Sequence, residues 1–383
     1  MSQRMLNQVD GCYLHYREIT PDKNPGGIEK KVTAQIKAFN DSGISCDFIL
    51  CKQPETTGSK VLSCLPFFSD RIEWPDPESM SKYSFIYMRR PRFASKELIH
   101  FIKATKKRNP DIKIIYEVPT YPYDDEMKTP VLYPALLKDR ANRKQLKKCV
   151  DRIAGTTTRE DIFCIPVLPM INGIDLSSIK PKKPSPSLNE INIIVVARFE
   201  RWHGLDRLIS GTINYFKGDS LERNVVLHVV GTGSVIEALK REVENSHFER
   251  SIVFHGYCGK EELNEIYDKC SLAVESLGFH RIGLTTSSTL KSREYLAKGI
   301  PFVCANATDV FINNPVDFCL RIPADESPVD IQTLLDFHDQ LYASESQESL
   351  IYRIRKFAET HIGINQTMER IVNYIKEVTV ETQ

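Results

Sequence analysis

Lys291 and Glu294 stand three residues apart in the stretch TLKSREYLAKGIPFVCAN, a spacing that puts a cation and a carboxylate on one helix face. The hydroxyl residues 285–288 suit the cap of a helix start. Gly299 suits a left-handed helix end, and a helix cannot resume at Pro301. Free amides, a cation and a carboxylate at a helix start suit a phosphate and a hydroxylated ring. The stretch therefore predicts a helix that binds a phosphorylated, hydroxylated ligand.

A second cation follows an apolar run in VVARFERWHGLDRLI. Arg198, just past the end of a predicted strand, can make bidentate contacts to a diphosphate, and His203 can add a second donor. The alternative is a surface arginine beside a loop that caps a helix. Both interpretations remain open at this point.

Three glycines follow predicted strands. Gly231 and Gly233 in VVGTGSVI do not complete a dinucleotide fingerprint, because its third glycine would fall at Ile236. They favour a tight turn that admits a phosphate or a backbone segment, with purely structural turn glycines as the alternative. Gly27, in NPGGIEKKV, leaves the start of a predicted helix accessible to a phosphate or sugar.

The stretch IYEVPTYPYDDE (115–126) supplies candidate acceptor contacts. Tyr121 and Tyr123 can stack on sugar faces. Glu117, at the end of a predicted strand, is the best candidate for orienting or deprotonating an acceptor hydroxyl. A purely structural Glu117 is the alternative, because a departing phosphate can itself take the proton.

These segments alternate between strand-like and helix-like patterns in both halves, which predicts parallel sheets covered on both faces. We expect an acceptor-side Rossmann-like domain, a Pro-rich linker, a nucleotide-sugar-binding Rossmann-like domain, and a C-terminal helix that crosses back to the first domain. Their predicted bounds are 1–175, 176–190, 191–360 and 361–383. Ligands of such sheets bind at the carboxyl ends of the strands, here in a cleft between the domains.

Composition narrows the function further. With 383 residues, 26% of them charged and 41% hydrophobic, the chain fits a soluble two-domain protein, and a net charge of +1 selects no nucleic-acid partner. The ten cysteines form no CxxC pair, which favours free thiols in a reducing cytosol. No signal peptide or membrane-spanning run is present, and no DxD carboxylate pair calls for a metal.

The motifs together resemble those of the family-four retaining glycosyltransferases, which have the GT-B fold. The matching motifs, in chain order, are Gly26-Gly27-Ile28-Glu29, Asn172-Gly173-Ile174-Asp175, Arg198 with Trp202-His203-Gly204, Val230-Gly231-x-Gly233, Val253-Phe254-x-Gly256-Tyr257, Leu263-x-x-x-Tyr267 and the variant K-x-x-E-Y-x-A-x-G-x-P that starts at Lys291. Their order and spacing match from residue 24 to residue 303.

The resemblance implies roles for the matching positions. Glu294 would bind the nucleotide ribose, and Arg198 would stabilise the charge that develops on the leaving phosphate. Gly27 would let the donor phosphates approach. The backbone would contribute at the diphosphate through Ser288, Thr289 and Leu290, and at the base near Tyr257.

This chain departs from the family pattern at two positions. Thr286 stands where the family has a glutamate that is expected to touch the donor sugar, and His203 stands where it has a lysine. His280, Arg281 and Lys291 are alternative ligands, with Lys291 the preferred phosphate partner. An ordinary loop histidine is the other interpretation of His280.

The resemblance implies a hexosyltransferase that uses a nucleotide sugar, with UDP as the expected base carrier and no required cofactor. The acceptor would be a glycan or lipid-linked saccharide in cell-surface polysaccharide synthesis. The basic segment 138–152 is either a solvated helix or a contact with anionic lipid at the inner face of the membrane of a cytoplasmic enzyme. A nucleotide-sugar epimerase and a non-catalytic partner of another glycosyltransferase are the alternatives.

Overall fold

The computed structural model describes residues 9–16, 27–53, 56–157, 159–218 and 223–380. The chain divides into two compact units, residues 1–171 with 364–383, and residues 172–363. We call them the first and second domains and describe each by itself. All ten cysteines are free thiols, and seven of them are buried.

The first domain contains a seven-stranded sheet in the order β2-β1-β3-β4-β5-β7-β6, parallel except for the pair β6 and β7. Its strands are β1 (Val9–His15), β2 (Ile44–Leu50), β3 (Phe85–Arg89), β4 (Lys113–Val118), β5 (Arg152–Gly155), β6 (Asp161–Ile162) and β7 (Ile165–Pro169). Both faces of β3 and β4 are buried, as expected for parallel strands covered by helices on each side.

Two layers of helices cover this sheet. The helices are α1 (Gly27–Asp41), α2 (Thr57–Cys64), α3 (Pro77–Met80), α4 (Lys96–Arg108), α5 (Tyr133–Asn142) and α12 (Ile364–Val380). The terminal helix α12 packs back on the first domain, as predicted, because its buried residues Met368 and Ile371 share a hydrophobic cluster with Val32 and Phe39 of α1.

The second domain contains a parallel six-stranded sheet in the order β10-β9-β8-β11-β13-β15 and a separate parallel pair, β12 with β14. The strands are β8 (Glu190–Val196), β9 (Asn224–Val230), β10 (Ile252–Gly256), β11 (Leu272–Val274), β12 (Thr286–Ser287), β13 (Phe302–Cys304), β14 (Ala307–Thr308) and β15 (Cys319–Arg321). The helices are α6 (Leu205–Lys217), α7 (Ile236–Ser246), α8 (Lys260–Lys269), α9 (Leu290–Lys298), α10 (Ile331–Ser344) and α11 (Gln347–His361).

This strand order reverses direction between β8 and β11. The chain builds outward from β8 through β9 to β10 and then returns to place β11 on the other side of β8. Ligands of open parallel sheets bind outside the carboxyl ends of the strands at such a switch point. The residues that follow β8 and β11 are therefore the candidates for a ligand site.

Candidate functional site

Helix α9 begins near this switch point with a side-chain cap. The Thr289 hydroxyl accepts the Ser292 N–H at 3.3 Å, and Gly299 ends the helix in the left-handed conformation at φ 73°. The left-handed end agrees with the sequence prediction, whereas the cap is Thr289, one residue after the hydroxyl run 285–288 that was expected to supply it.

Tyr295 fastens α9 to the sheet. Its buried hydroxyl donates to the Val274 carbonyl at 3.0 Å and accepts the Val196 N–H at 3.2 Å. One side chain thus ties the carboxyl ends of β11 and β8 to the helix. The sequence analysis did not predict this role of Tyr295.

The segment after β8 carries Arg198 on a closely packed backbone. Phe199 N–H donates to the Thr232 carbonyl at 2.7 Å. A Cβ atom on Gly231 or Gly233 would lie 1.9 Å from a carbonyl oxygen of the segment 197–199, so no larger residue fits without a shift of the backbone. These contacts favour the structural interpretation of both glycines. Arg198 itself is exposed and makes no hydrogen bond or ion pair within the described ranges.

His203 lies in a short 3-10 turn (Arg201–His203) and is half-buried. Its Nδ1 accepts the Glu200 N–H at 2.9 Å, which leaves the ring proton on Nε2. Burial, and next the charge of Lys291, lower the pKa of His203 to about 3. Of the two ways in which His203 could replace the family's lysine, only the neutral donor is compatible with this pKa.

Lys291 lies in the first turn of α9, with its Nζ shielded from solvent and without a hydrogen-bond partner in the described structure. Burial lowers its pKa, and Glu275 opposes that change. Glu275 directly follows β11 and is fully buried. One of its carboxylate oxygens accepts from the Thr289 hydroxyl at 2.6 Å, and the other has no partner among the residues described.

Glu275 was missed by the sequence analysis. The available signal was a charged residue directly after the apolar strand SLAV, beside the point where the strand order reverses. Ser276 and Ser287, next to it and next to the start of α9, also carry buried hydroxyls without partners in the described part of the chain. Such a group of unsatisfied polar atoms is unusual in a folded protein and indicates a ligand site.

Glu294 lies one turn further along α9 and is half-buried. Tyr257 follows β10 and is 65% exposed, and Gly231 N–H donates to the Gly256 carbonyl at 2.6 Å. Tyr257 and the Gly231 turn therefore lie together at the carboxyl edge of the sheet, and their predicted contacts with base and phosphate stay predictions.

Ser288 and Leu290 flank the cap residue of α9. The Ser288 hydroxyl accepts one hydrogen bond from the Asn172 N–H at 3.0 Å and another from the Arg293 guanidinium at 3.1 Å. Arg293 is itself buried and pairs with Asp309. The Ser288 side chain thus serves the loop that precedes α9, and any ligand contact predicted for positions 288 to 290 falls to the backbone.

His280 belongs to a network of charged side chains around Glu326. Its Nε2 bonds to Glu326 at 2.8 Å, and the neighbouring Arg281 bridges Glu326 and Asp206. These contacts favour the ordinary loop histidine over a ligand contact. Its Nδ1 is buried without a hydrogen-bond partner among the described residues, and the predicted cofactor-binding role of His280 stays a prediction.

In the first domain, Glu117 is fully buried rather than open to an acceptor. One carboxylate oxygen binds Lys31 at 2.9 Å and Arg89 at 2.8 Å, and the other binds Gln35 at 2.9 Å and Tyr87 at 2.6 Å. Burial acts to raise the pKa of Glu117, but Lys31 and Arg89 outweigh it and lower the pKa to about 2. All of this favours the structural alternative over a catalytic base.

The remaining first-domain predictions concern Gly27 and the basic segment 138–152. Gly27 is the exposed first residue of α1, whereas Gly26 lies outside the described residues. The basic segment 138–152 is only partly exposed, and its contact with lipid stays a prediction. Lys138 is buried, with hydrogen bonds to two backbone carbonyls. Arg140 and Arg143 pair with an aspartate, and Arg152 lies over an aromatic ring.

The described residues lack two further features, a metal site and a membrane-spanning helix. Within them, no group of three or more His, Cys, Asp or Glu residues could hold a metal ion. No helix among them has the length and hydropathy needed to cross a membrane.

Residues 178–311 match the model of the family described as glycosyl transferases group 1, so the match covers the switch point and α9. No curated protein sequence gives a significant match. Many solved structures match this chain, several of them over nearly its whole length. Sucrose-phosphate synthase from Thermosynechococcus elongatus has a TM-score of 0.64 at 13% identity, covering 98% of this chain and 99% of its own.

A glycosyltransferase from Rickettsia africae has a TM-score of 0.63 at 9% identity, covering 97% of this chain and 99% of its own. HepE from Anabaena, solved with UDP-glucose, has a TM-score of 0.61 at 13% identity, covering 98% of this chain and 100% of its own. At these identities the similarity establishes the fold, and the predicted GT-B class is confirmed.

Proposed function

We propose that this chain is a glycosyltransferase that moves a hexosyl unit from a nucleotide sugar to a hydroxyl of a glycan or lipid-linked saccharide. One observation carries the proposal. The exposed Arg198, the buried cation of Lys291 and the capped start of α9 lie along the carboxyl edge of the second sheet, inside the segment that matches the family model.

Each of these groups has a task in the departure of a nucleoside diphosphate. The amides at the start of α9 and the Lys291 ammonium bind the phosphates. The Nε2–H of His203 adds a neutral donor. Arg198 stabilises the negative charge that grows on the leaving oxygen, which is the largest single contribution such a site can make. Glu294 binds the ribose hydroxyls.

In the proposed reaction, the departing phosphate accepts the proton of the attacking hydroxyl, and the new bond retains the anomeric configuration. The closed environment of Glu117 agrees with a reaction that takes no base from that residue. UDP-hexoses are the first donors to test, because HepE was solved with UDP-glucose.

The test is incubation with a panel of nucleotide sugars, with and without glycan and lipid-linked acceptors. Acceptor-dependent release of nucleoside diphosphate is expected, and NMR of the product reports the anomeric configuration. Epimerised donor without release would instead indicate the epimerase alternative. Binding without turnover would indicate a non-catalytic partner, the role suggested by Thr286 and by the neutral His203.

We further propose that the first domain of a cytoplasmic enzyme docks on the inner face of an anionic membrane. In place of the whole basic segment, the support is an exposed apolar patch. The patch consists of Val61, Phe67, Phe68, Val131, Tyr133 and Leu137. Tyr133 and Leu137 are four apart on α5, and Lys138 of α5 donates to the carbonyls of Ser63 and Phe68, so the two halves of the patch adjoin.

Charge favours lipid as the occupant of this patch. Phe67 is 99% exposed. Lys60 of α2 is also exposed, and Lys144, Lys147 and Lys148 are exposed cations on the segment after α5. Basic residues attract anionic headgroups by about 1 kcal/mol each, and aromatic side chains insert at the interface.

Sedimentation with phosphatidylglycerol vesicles tests the docking. The double variant Phe67→Ser and Phe68→Ser should lose binding, whereas Tyr352→Ser, which changes a 69% exposed aromatic of α11, should not. Equal binding by both variants, or no weakening in high salt, would contradict it.

A further inference from the structure

Glu275 and Lys291 are two opposite charges buried in one region and left incomplete. Glu275 is fully buried, and one of its oxygens has no partner within the described ranges. The same holds for the Nζ of Lys291. Thr289 connects them, because it caps α9 two residues before Lys291 and donates to Glu275 at 2.6 Å.

A buried amine of this kind loses its proton unless a neighbouring charge keeps it, because burial disfavours the charged form. The groups around it divide clearly. His203, from the 3-10 turn, is neutral, so it brings no negative charge that could stabilise the ammonium form of Lys291. Arg293, on α9 itself, is paired with Asp309. Glu275, from the end of β11, is the carboxylate whose field acts on Lys291.

We infer that Glu275 is a positioning residue that keeps Lys291 in its ammonium form, so that the start of α9 presents a full positive charge to the diphosphate of the donor. The inference rests on the proposed function, since it assumes that a diphosphate binds there. Glu275 also fixes the Thr289 hydroxyl and with it the first turn of α9. The open Nζ of Lys291 is then the donor that a phosphate oxygen completes.

The testing variant is Glu275→Gln, which keeps the shape and can still accept the Thr289 hydroxyl but has no charge. Calorimetric titration of the full chain with UDP, and separately with inorganic pyrophosphate, is run from about pH 6 to pH 9. At each pH the affinity of the variant is divided by that of the wild type, which cancels the titration of the probe itself.

The ratio should fall as the pH rises, by about tenfold for each pKa unit that Lys291 loses with the charge of Glu275. Glu249→Gln, an exposed carboxylate of the same domain, should give a flat ratio of one. Lys291→Met should bind weakly at every pH, and adding Glu275→Gln to it should change nothing further.

Two results would overturn the inference. One is a ratio that does not change with pH, which would make Glu275 merely structural. The other is unchanged UDP affinity with weakened binding of UDP-sugars, which would make Glu275 a contact of the sugar. If wild-type protein binds pyrophosphate but turns over no nucleotide sugar, the proposed function fails while the inference stands. If it binds neither probe, both fail.

Discussion

Glu117 and Glu275 are fully buried carboxylates at the carboxyl ends of parallel strands, one in each domain, and their surroundings differ. Four side chains, two of them cationic, close around Glu117. Glu275 receives one hydroxyl, and the nearby Lys291 is left with no hydrogen-bond partner in the described structure.

This difference distinguishes a structural network from a binding site. A buried polar network that is fully satisfied rigidifies a fold, whereas one that is partly satisfied costs stability until something completes it. The Glu117 network holds α1 to β3 and β4, and described side chains already occupy both oxygens of Glu117. The Glu275 region keeps its unsatisfied atoms where the strand order reverses, so the cost is placed where a ligand can offset it.

The sharpest way to break this comparison is to remove the lysine from each region. Lys31→Met should destabilise the first domain by about 3–5 kcal/mol, because Glu117 loses a partner that it cannot replace. Lys291→Met should cost the second domain much less, because the Nζ of Lys291 gives up no hydrogen bond in the described structure. Denaturant unfolding of both variants measures this, and equal losses would refute the distinction.

The second prediction concerns turnover. Arg198→Ala should lower kcat by about 100- to 1,000-fold, the usual effect of losing one group that stabilises transition-state charge. Its effect on stability should be negligible, because Arg198 is exposed. Arg250→Ala, another exposed arginine of the same domain, is the matched control. Full activity of the Arg198 variant would reassign that residue to the surface.

Local sequence chemistry predicted much of this structure. The strands recur at the predicted places, and Gly299 ends α9 as expected, since strand periodicity and helix caps depend on neighbouring residues. The C-terminal helix predicted from residue 361 begins at Ile364, and Gly363 lies in the break between α11 and α12.

The sequence could not separate the two carboxylates. The partners of Glu117 come from α1 and β3, dozens of residues away along the chain, and only the folded sheet assembles them. Glu275 and Lys291 likewise meet only because α9 folds back onto the end of β11. Burial, which decides whether a carboxylate is a base or a core residue, is a property of that assembly.

The third prediction compares the two carboxylates by pH. The pKa of Glu117 is about 2 in the folded protein against its ordinary 4.5, so its contribution to stability is complete above pH 4.5 and lost as the pH falls toward 2. The stability gap between wild type and Glu117→Gln should therefore shrink over that window, by on the order of 2–3 kcal/mol.

Glu275 should behave in the opposite way. Burial raises its pKa, so ionisation of Glu275 costs stability as the pH rises through its folded pKa. Glu275→Gln should then be no less stable than wild type at neutral pH. Urea unfolding of both variants from about pH 2 to pH 8 measures the two trends, and parallel trends would show that the regions are not different in kind.

The smallest expected effect belongs to Glu294, a half-buried carboxylate on α9, the helix that also carries Lys291. A carboxylate that accepts hydrogen bonds from ribose contributes through charge-assisted contacts, so Glu294→Ala should weaken nucleoside diphosphate binding about tenfold or more. Inorganic pyrophosphate, which has no ribose, should bind the variant as it binds wild type. Glu265→Ala, an exposed carboxylate on α8, is the control. An equal loss of affinity for both probes would mean that Glu294 acts on the phosphate end of the site, together with Glu275 and Lys291. The incompletely bonded region around Glu275 would then include Glu294 as well.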